Sequence, residues 1–262
     1  MIGNIHILGI VNLNGDSFYA GSRTSGDDAV ARIRQMWAEG ADVVDLGACS
    51  TRPGSVQPSL EEEWSRLEPV LTELAGSSAI SIDTYRAEIV RRVYDTIGPF
   101  LVNDISAGEM DPQMLGTVGR LGLPYVAMHM RGTPETMQSL TDYDDVVAEV
   151  IRYFKAFEKK AADAGIREWI LDPGFGFAKT VEQNYELLRR LSEIKEAFPQ
   201  EILVGLSRKS MIYKPLGITP EEAMPATQVL NYAALERGAT WLRVHDVVPA
   251  VQTARLFSLL PR

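Results

Sequence analysis

The chain has 262 residues, 45% of them hydrophobic, and carries 26 Lys and Arg against 35 Asp and Glu, a formal net charge of −9. That length suits one domain with a large core, and the acidic balance opposes a broad nucleic-acid surface, so any anionic ligand must be met by a local basic cluster. A lone Cys49 excludes an internal disulfide, no apolar run is long enough to span a bilayer, and the first strand follows Met1 closely without a leader, so a soluble, cytoplasmic protein without a membrane partner is expected.

Short apolar runs that end in polar residues alternate with stretches of helical period. The first run, 5–12, ends at Asn12 and opens into the polar loop NLNGDSFYAGSRTSGDD, long enough to act as a lid, before a helix from Asp27 to the stop signal at Gly40. The second, 43–47, carries Asp45 and opens into ACSTRPGSVQPS; Ser59 followed by Glu61 to Glu63 then starts a helix. Next come a strand over 79–83 ending in Asp83, a helix over 86–96, a strand over 100–104 ending in Asn103 and Asp104, and a helix over 111–121. A strand over 125–130 contains Met128 and His129 and precedes a helix over 144–164. The sixth strand, 169–173, runs into DPGFGFAKT, whose glycines let backbone approach a ligand, and a helix over 182–197 follows. The seventh, 202–206, passes into SRKS and an irregular PLGITPEEAMP stretch, and a helix then runs to Gly238. Strand eight, 241–245, carries Arg243 and His245 and feeds a last helix from Val248.

Eight strand and helix units predict an α/β chain, a single (β/α)8 TIM barrel domain over 1–262 with long loops after strands 1 and 2. In that fold the strand-terminating residues converge on one pocket at the carboxyl ends of the strands. Asp83, Asn103 and Asp172 end three different strands and together suit a ligand with adjacent N–H donors and ring nitrogens, such as a 2-amino-4-oxo heterocycle. Any one of them could merely cap the next helix; three together point to a ligand. Ser207, Arg208, Lys209, Arg243 and His245 follow or end strands 7 and 8, where many barrels hold phosphate, and Asn12 closes the ring from strand 1; surface charge is a plausible reading for Arg208 and less so for Lys209 and Arg243. His129 suits a wall residue as well as a contact and stays outside the catalytic set, while His6, Trp169 and Trp241 read as structural. Cys49 reads as a small loop filler rather than a reactive thiol.

The motifs VNLNGDSF, DLGACSTRPGS, SIDTY, LVNDISAG, MHMRGTPETMQ, LDPGFGFAKT, GLSRKS and LRVHDV, in this order over almost the whole chain, resemble those of the dihydropteroate synthase family. The resemblance implies a transferase of folate synthesis that joins 6-hydroxymethyl-7,8-dihydropterin diphosphate to 4-aminobenzoate and releases pyrophosphate, and that is the target of sulfonamides. It implies a pterin pocket of Asp83, Asn103, Asp172 and Lys209, with Met128 and Gly205 as close neighbours. It assigns Asn12, Arg243 and His245 to the diphosphate, with Mg²⁺ contacted by Asn12. Phe18, Thr51, Arg52, Pro53, Phe177 and Ser207 fall on the aminobenzoate side, with Asp16 in the loop that closes over it. The implied catalytic set is Asp16, Arg52, Lys209, Arg243 and His245, acting in an S_N1-like displacement, and the implied assembly is a homodimer formed by late helices. Two departures stand out: Asn14 and Gly15 replace the family's Thr-Pro in the first loop, and Ala48 and Cys49 replace Gly-Glu in the second. They bear on loop geometry and inhibitor fit, since the functional Asp, Thr and Arg remain. A methyltetrahydrofolate corrinoid methyltransferase would leave STRPG, SRK and RVHD together unexplained. A non-catalytic pterin-binding paralogue would not need Asp16, Arg52, Lys209, Arg243 and His245.

Overall fold

A computed structural model describes residues 5–13, 26–49, 57–76 and 79–260. The runs identified in the sequence form strands β1 (His6–Asn12), β2 (Val43–Gly47), β3 (Ile80–Asp83), β4 (Leu101–Asp104), β5 (Tyr125–Met128), β6 (Trp169–Asp172), β7 (Leu203–Val204) and β8 (Trp241–Val244). All neighbouring pairs are parallel, in the order β6-β5-β4-β3-β2-β1-β8-β7. The ring closes between β6 and β7 through a parallel bridge of Leu171 with Ile202, where Leu171 N–H donates to the Glu201 carbonyl at 2.9 Å. The expected barrel is therefore present.

The helices are α1 (Gly26–Glu39), α2 (Leu60–Glu73), α3 (Ala87–Ile97), α4 (Met114–Leu121), α5 (Val146–Ala164), α6 (Val181–Arg189), α7 (Leu191–Ala197), α8 (Ser210–Leu216), α9 (Met224–Glu236) and α10 (Val247–Leu259). Ser59 caps α2 in a reciprocal capping box with Glu62, as the Ser and acidic run foretold. Three boundaries differ from expectation. The single helix expected over 182–197 is broken at Arg190, whose backbone leaves helical geometry while its guanidinium pairs with Asp145, Glu186 and Glu193. Strand 7 keeps only two residues because the chain turns early, Lys209 N–H donating to the Leu206 carbonyl. A short helix that the sequence did not suggest, α8, reaches from the SRKS segment two residues into the stretch expected to be irregular and ends at Gly217 in the left-handed region.

Alternation along each strand separates two cores. Outward residues such as Ile7, Val44, Ile82, Val102, Leu171 and Val204 pack against the helices in the main cluster. Inward residues Leu8, Leu101, Val126, Ile170, Leu203 and Trp241 form a separate apolar layer inside the barrel. This layer floors the barrel. Continuing by steps of two from it, with Val43 packed at its edge, reaches Asn12, Asp45, Asn103, Met128, Asp172, Gly205, Arg243 and His245, and on β3 the same step leads from the buried Ser81 to Asp83, so the period of the strand delivers polar groups above an apolar floor. His6 stacks on Trp241 with ring centroids 4.4 Å apart, and Trp241 Nε1 donates to Glu201, at the opposite end from those groups.

Candidate active site

Arg243 is the centre of the pocket. From β8 its Nε donates to Asp45 Oδ2 at 2.7 Å and its Nη2 to Asp83 Oδ2 at 2.8 Å, which ties β8 to β2 and β3 across the mouth. Asp45 is fully buried and also accepts from Asn103 Nδ2 at 3.0 Å. An ionised carboxylate only accepts, so it turns the NH₂ of Asn103 toward itself and leaves the amide carbonyl as an acceptor for a ligand. The sequence reading passed over Asp45 as a site residue. The signal was present, for counting inward by twos from Val43 reaches it.

Burial raises the Asp83 carboxyl above the usual carboxylate range and Arg243 opposes it, while the buried Asp45, Glu63 and Asp104 add to the rise. Asp172, buried at the end of β6, accepts from Gly174 N–H at 2.8 Å; burial raises it too, against the pull of Lys209 and Arg243. Lys209 donates to the Phe175 carbonyl, and its ammonium lies 4.9 Å from the centre of the Phe177 ring. Burial lowers its pKa to about 8 despite the attraction of Asp172. Gly176 and Gly205 leave room for this side chain: a Cβ on Gly176 would stand 3.1 Å from Lys209 Cδ, and one on Gly205 3.7 Å from Nζ. Met128 is buried beside Ile105, Met130, Met137 and Ala178, with Phe177 packed against the same cluster.

His245 Nδ1 lies 3.0 Å from Ser207 Oγ, which also accepts from His245 N–H at 3.3 Å. With one lone pair taken by the backbone donor, the hydroxyl keeps one lone pair and one proton for Nδ1; when it donates, the ring carries its own proton on Nε2. Burial, reinforced by Arg243, lowers the His245 pKa to about 4, so the ring is neutral near pH 7. Ser207, expected on the aminobenzoate side, is buried and engaged with His245. Arg208 is not surface charge: its side chain is 8% exposed, pairs with Asp246 through Nε and Nη2 at 2.9 and 2.8 Å, and donates to the Pro220 and Glu221 carbonyls. Asp104, one residue past Asn103, faces outward and accepts from Tyr125, Ser106 and Gly108, which makes it a brace for the β4 loop.

Asp16, Phe18, Thr51, Arg52 and Pro53 lie outside the described residues. The described ends of the second loop are held by arginines: Arg66 donates to the Ala48 carbonyl at 2.7 Å, and Arg86 donates to the Pro58 carbonyl while pairing with the fully buried Glu63. Cys49 is buried, and burial with Glu63 close by raises its pKa far above that of a free thiol, so it is an inert filler near neutrality.

No group of three or more His, Cys, Asp or Glu that could hold a metal occurs among the described residues. Asn12 ends β1 with its Oδ1 3.5 Å from where a Cβ on Gly47 would sit, next to Asp83. One neutral amide oxygen fits Mg²⁺ brought in by substrate phosphates and retaining waters, rather than a resident ion in a protein cage.

A parallel barrel whose mouth opposes buried carboxylates to Arg243 and Lys209, with an amide acceptor and a neutral imidazole, defines an enzyme pocket for a nitrogen heterocycle carrying an anionic group. The family profile described as pterin binding enzyme matches residues 8–245. Dihydropteroate synthase of Escherichia coli K12 is 41% identical over 96% of this chain and 90% of its own length. Among solved structures, the Yersinia pestis dihydropteroate synthase with a sulfonamide drug superposes with a TM-score of 0.91 at 34% identity, over 98% of this chain and 94% of that one. The Xanthomonas albilineans dihydropteroate synthase with 4-aminobenzoic acid gives 0.88 at 36% identity, over 99% and 95%. The chain belongs to the dihydropteroate synthase family of pterin-binding enzymes.

Proposed function

We propose that this chain, as one catalytic domain, transfers the pterinylmethyl group of 6-hydroxymethyl-7,8-dihydropterin diphosphate to 4-aminobenzoate, releasing pyrophosphate, as a step of folate synthesis. The observation that carries the reading is the bridge from Arg243 to Asp45 and Asp83 above the inward apolar layer, with Asn103, Asp172 and Lys209 around it. Asp83, Asp172 and the Asn103 carbonyl accept from the pterin N–H groups, and Lys209 donates to the ring. The apolar floor and Met128 exclude water from beneath it.

The methylene C–O bond breaks as diphosphate departs, the conjugated pterin delocalises the positive charge, and the arylamine lone pair forms the new C–N bond before losing a proton. Arg243 and His245 Nε2–H, aimed where negative charge develops, stabilise the departing group; one such preorganised donor contributes roughly 10²–10³ in turnover. Mg²⁺, when bound with the diphosphate, supplies further charge neutralisation, and Asn12 is the side chain that would hold it. Phe177 and Lys209 stand between the two substrates, and the loop residues assigned by resemblance, Asp16, Phe18, Thr51, Arg52 and Pro53, serve the pterin cation and the aminobenzoate. Sulfonamides, as arylamine mimics, compete with aminobenzoate.

No helix among the described residues is long and apolar enough to cross a membrane, which is compatible with a cytoplasmic enzyme. The chain pairs with a second copy through α9 and α10, where Val229, Leu256 and Leu259 are 68%, 62% and 77% exposed. The test is to incubate purified protein and Mg²⁺ with both substrates and follow pyrophosphate and dihydropteroate together. Equal formation of both is expected. Pterin binding without either product would sink the catalytic reading and leave a binding protein.

A further inference from the structure

Lys179 follows the turn after β6 and is only 4% exposed, yet it makes no ion pair among the described residues. Its ammonium lies 2.9 Å from His129 Nδ1 and donates to the Gly174 carbonyl at 3.0 Å and the Phe177 carbonyl at 3.1 Å. Three N–H donors meet three acceptors, so none remains for a substrate. The turn is wound around this nitrogen. Gly174, Gly176 and Ala178 have φ values of 73°, 82° and 48°, and a Cβ on Gly174 would collide with the His129 carbonyl oxygen. The same turn gives Gly174 N–H to Asp172 and the Phe175 carbonyl to Lys209, and it carries the Phe177 ring.

We propose that Lys179 is a positioning residue of the pterin site, which fixes the turn that orients Asp172, Lys209 and Phe177 and adds a positive charge to the interior behind it. The inference rests on the reading of Asp172 as a pterin contact. An ammonium buried among neutral acceptors is costly to desolvate, and packing alone would be served better by an apolar side chain of the same length. Lys209, the Gly174 N–H and Arg243 lower the Asp172 carboxyl against the rise caused by burial, and the field of Lys179 adds to theirs. The charged and titratable groups that face Lys179 are Asp172 from β6, Lys209 from the loop after β7, and His129 and Arg131 from the end of β5. Burial lowers Lys179 itself to about 7, against the attraction of Asp172, and holds His129 neutral. Lys209 can leave the Phe175 carbonyl when a ligand takes its ammonium; Lys179 then still holds the turn.

The test is fluorescence titration with 6-hydroxymethylpterin from pH 5 to 8 on wild type, Lys179→Met, His129→Leu and Asp172→Asn. Acidification protonates Asp172 and weakens binding. Without the Lys179 charge, which is present below about pH 7, that protonation occurs at higher pH, so the acid limb in Lys179→Met moves up by about half a pH unit or more, and Kd at pH 6, with the turn loosened as well, rises about tenfold. His129→Leu leaves the ammonium one acceptor short and shifts both quantities in the same direction by about threefold in Kd, which gives a reading even if Lys179→Met does not fold. A merely structural lysine would lower Tm and the binding-competent fraction while leaving the limb in place. Folded variants with wild-type Kd and an unmoved limb, beside a weakened Asp172→Asn, would overturn the role of Lys179 alone. An unaffected Asp172→Asn would overturn the pterin assignment and this inference with it.

Discussion

Arg243 concentrates the chemistry of the pocket in one side chain. It offers a planar fork to Asp45 and Asp83, 2.7 and 2.8 Å away, while lying where diphosphate is expected. Lysine keeps the charge but cannot span two carboxylates on neighbouring strands. Arg243→Lys should therefore lower turnover about 10²–10³-fold with the fold intact by circular dichroism. Turnover within twofold of wild type would show that the charge alone suffices. Asp45 illustrates a different point, because this buried carboxylate decides, through its bonds to both, how Arg243 and Asn103 present themselves. His245, neutral near pH 7, is oriented by Ser207, whose hydroxyl lies 3.0 Å from its Nδ1.

At the scale of elements, the loops after β6 and β7 each wrap around a buried cation. Lys179 holds the first, and Arg208 pins the second to Asp246 and to the carbonyls of Pro220 and Glu221, so that β8, α8 and α9 share one anchor. Arg208 itself has φ 56°, a left-handed conformation that a residue other than glycine adopts only when its surroundings fix it. Arg208→Ala leaves Asp246 half-buried without its partner and should cost on the order of 3 kcal/mol in denaturant unfolding. It should also weaken catalysis, because Lys209 is next in sequence and His245 adjoins Asp246. A variant as stable as wild type would show that the anchor is dispensable.

Across the whole molecule, a net charge of −9 surrounds a pocket holding Arg243 and Lys209, so the cations that would meet a diphosphate are confined to the mouth, where carboxylates hold them in place. The apolar side chains of α9 and α10 that remain exposed lie on the outer shell, and Tyr232 and Phe257 pack the two helices together at 5.6 Å between ring centroids. Burying that surface against a second copy removes it from water. Sedimentation should give a dimer for the native chain and a monomer for Val229→Glu, with the pterin site unaltered. A monomeric native chain at micromolar concentration would refute the assembly.

The sequence by itself determined the eight-unit alternation, the strands to within a few residues, and nearly all the inward residues at the mouth, because a buried parallel strand shows as an apolar run and its period of two is independent of distant contacts. It did not reveal Asp45 as the partner of Arg243, 198 residues away in sequence. The break at Arg190, the two-residue β7, the burial of Arg208 and the capture of Lys179 by His129 were likewise decided by tertiary structure. Each depends on hydrogen bonds or ion pairs between segments that come together only when the barrel closes. Local propensity carries no record of those distances, and the chemistry of the site is made of them.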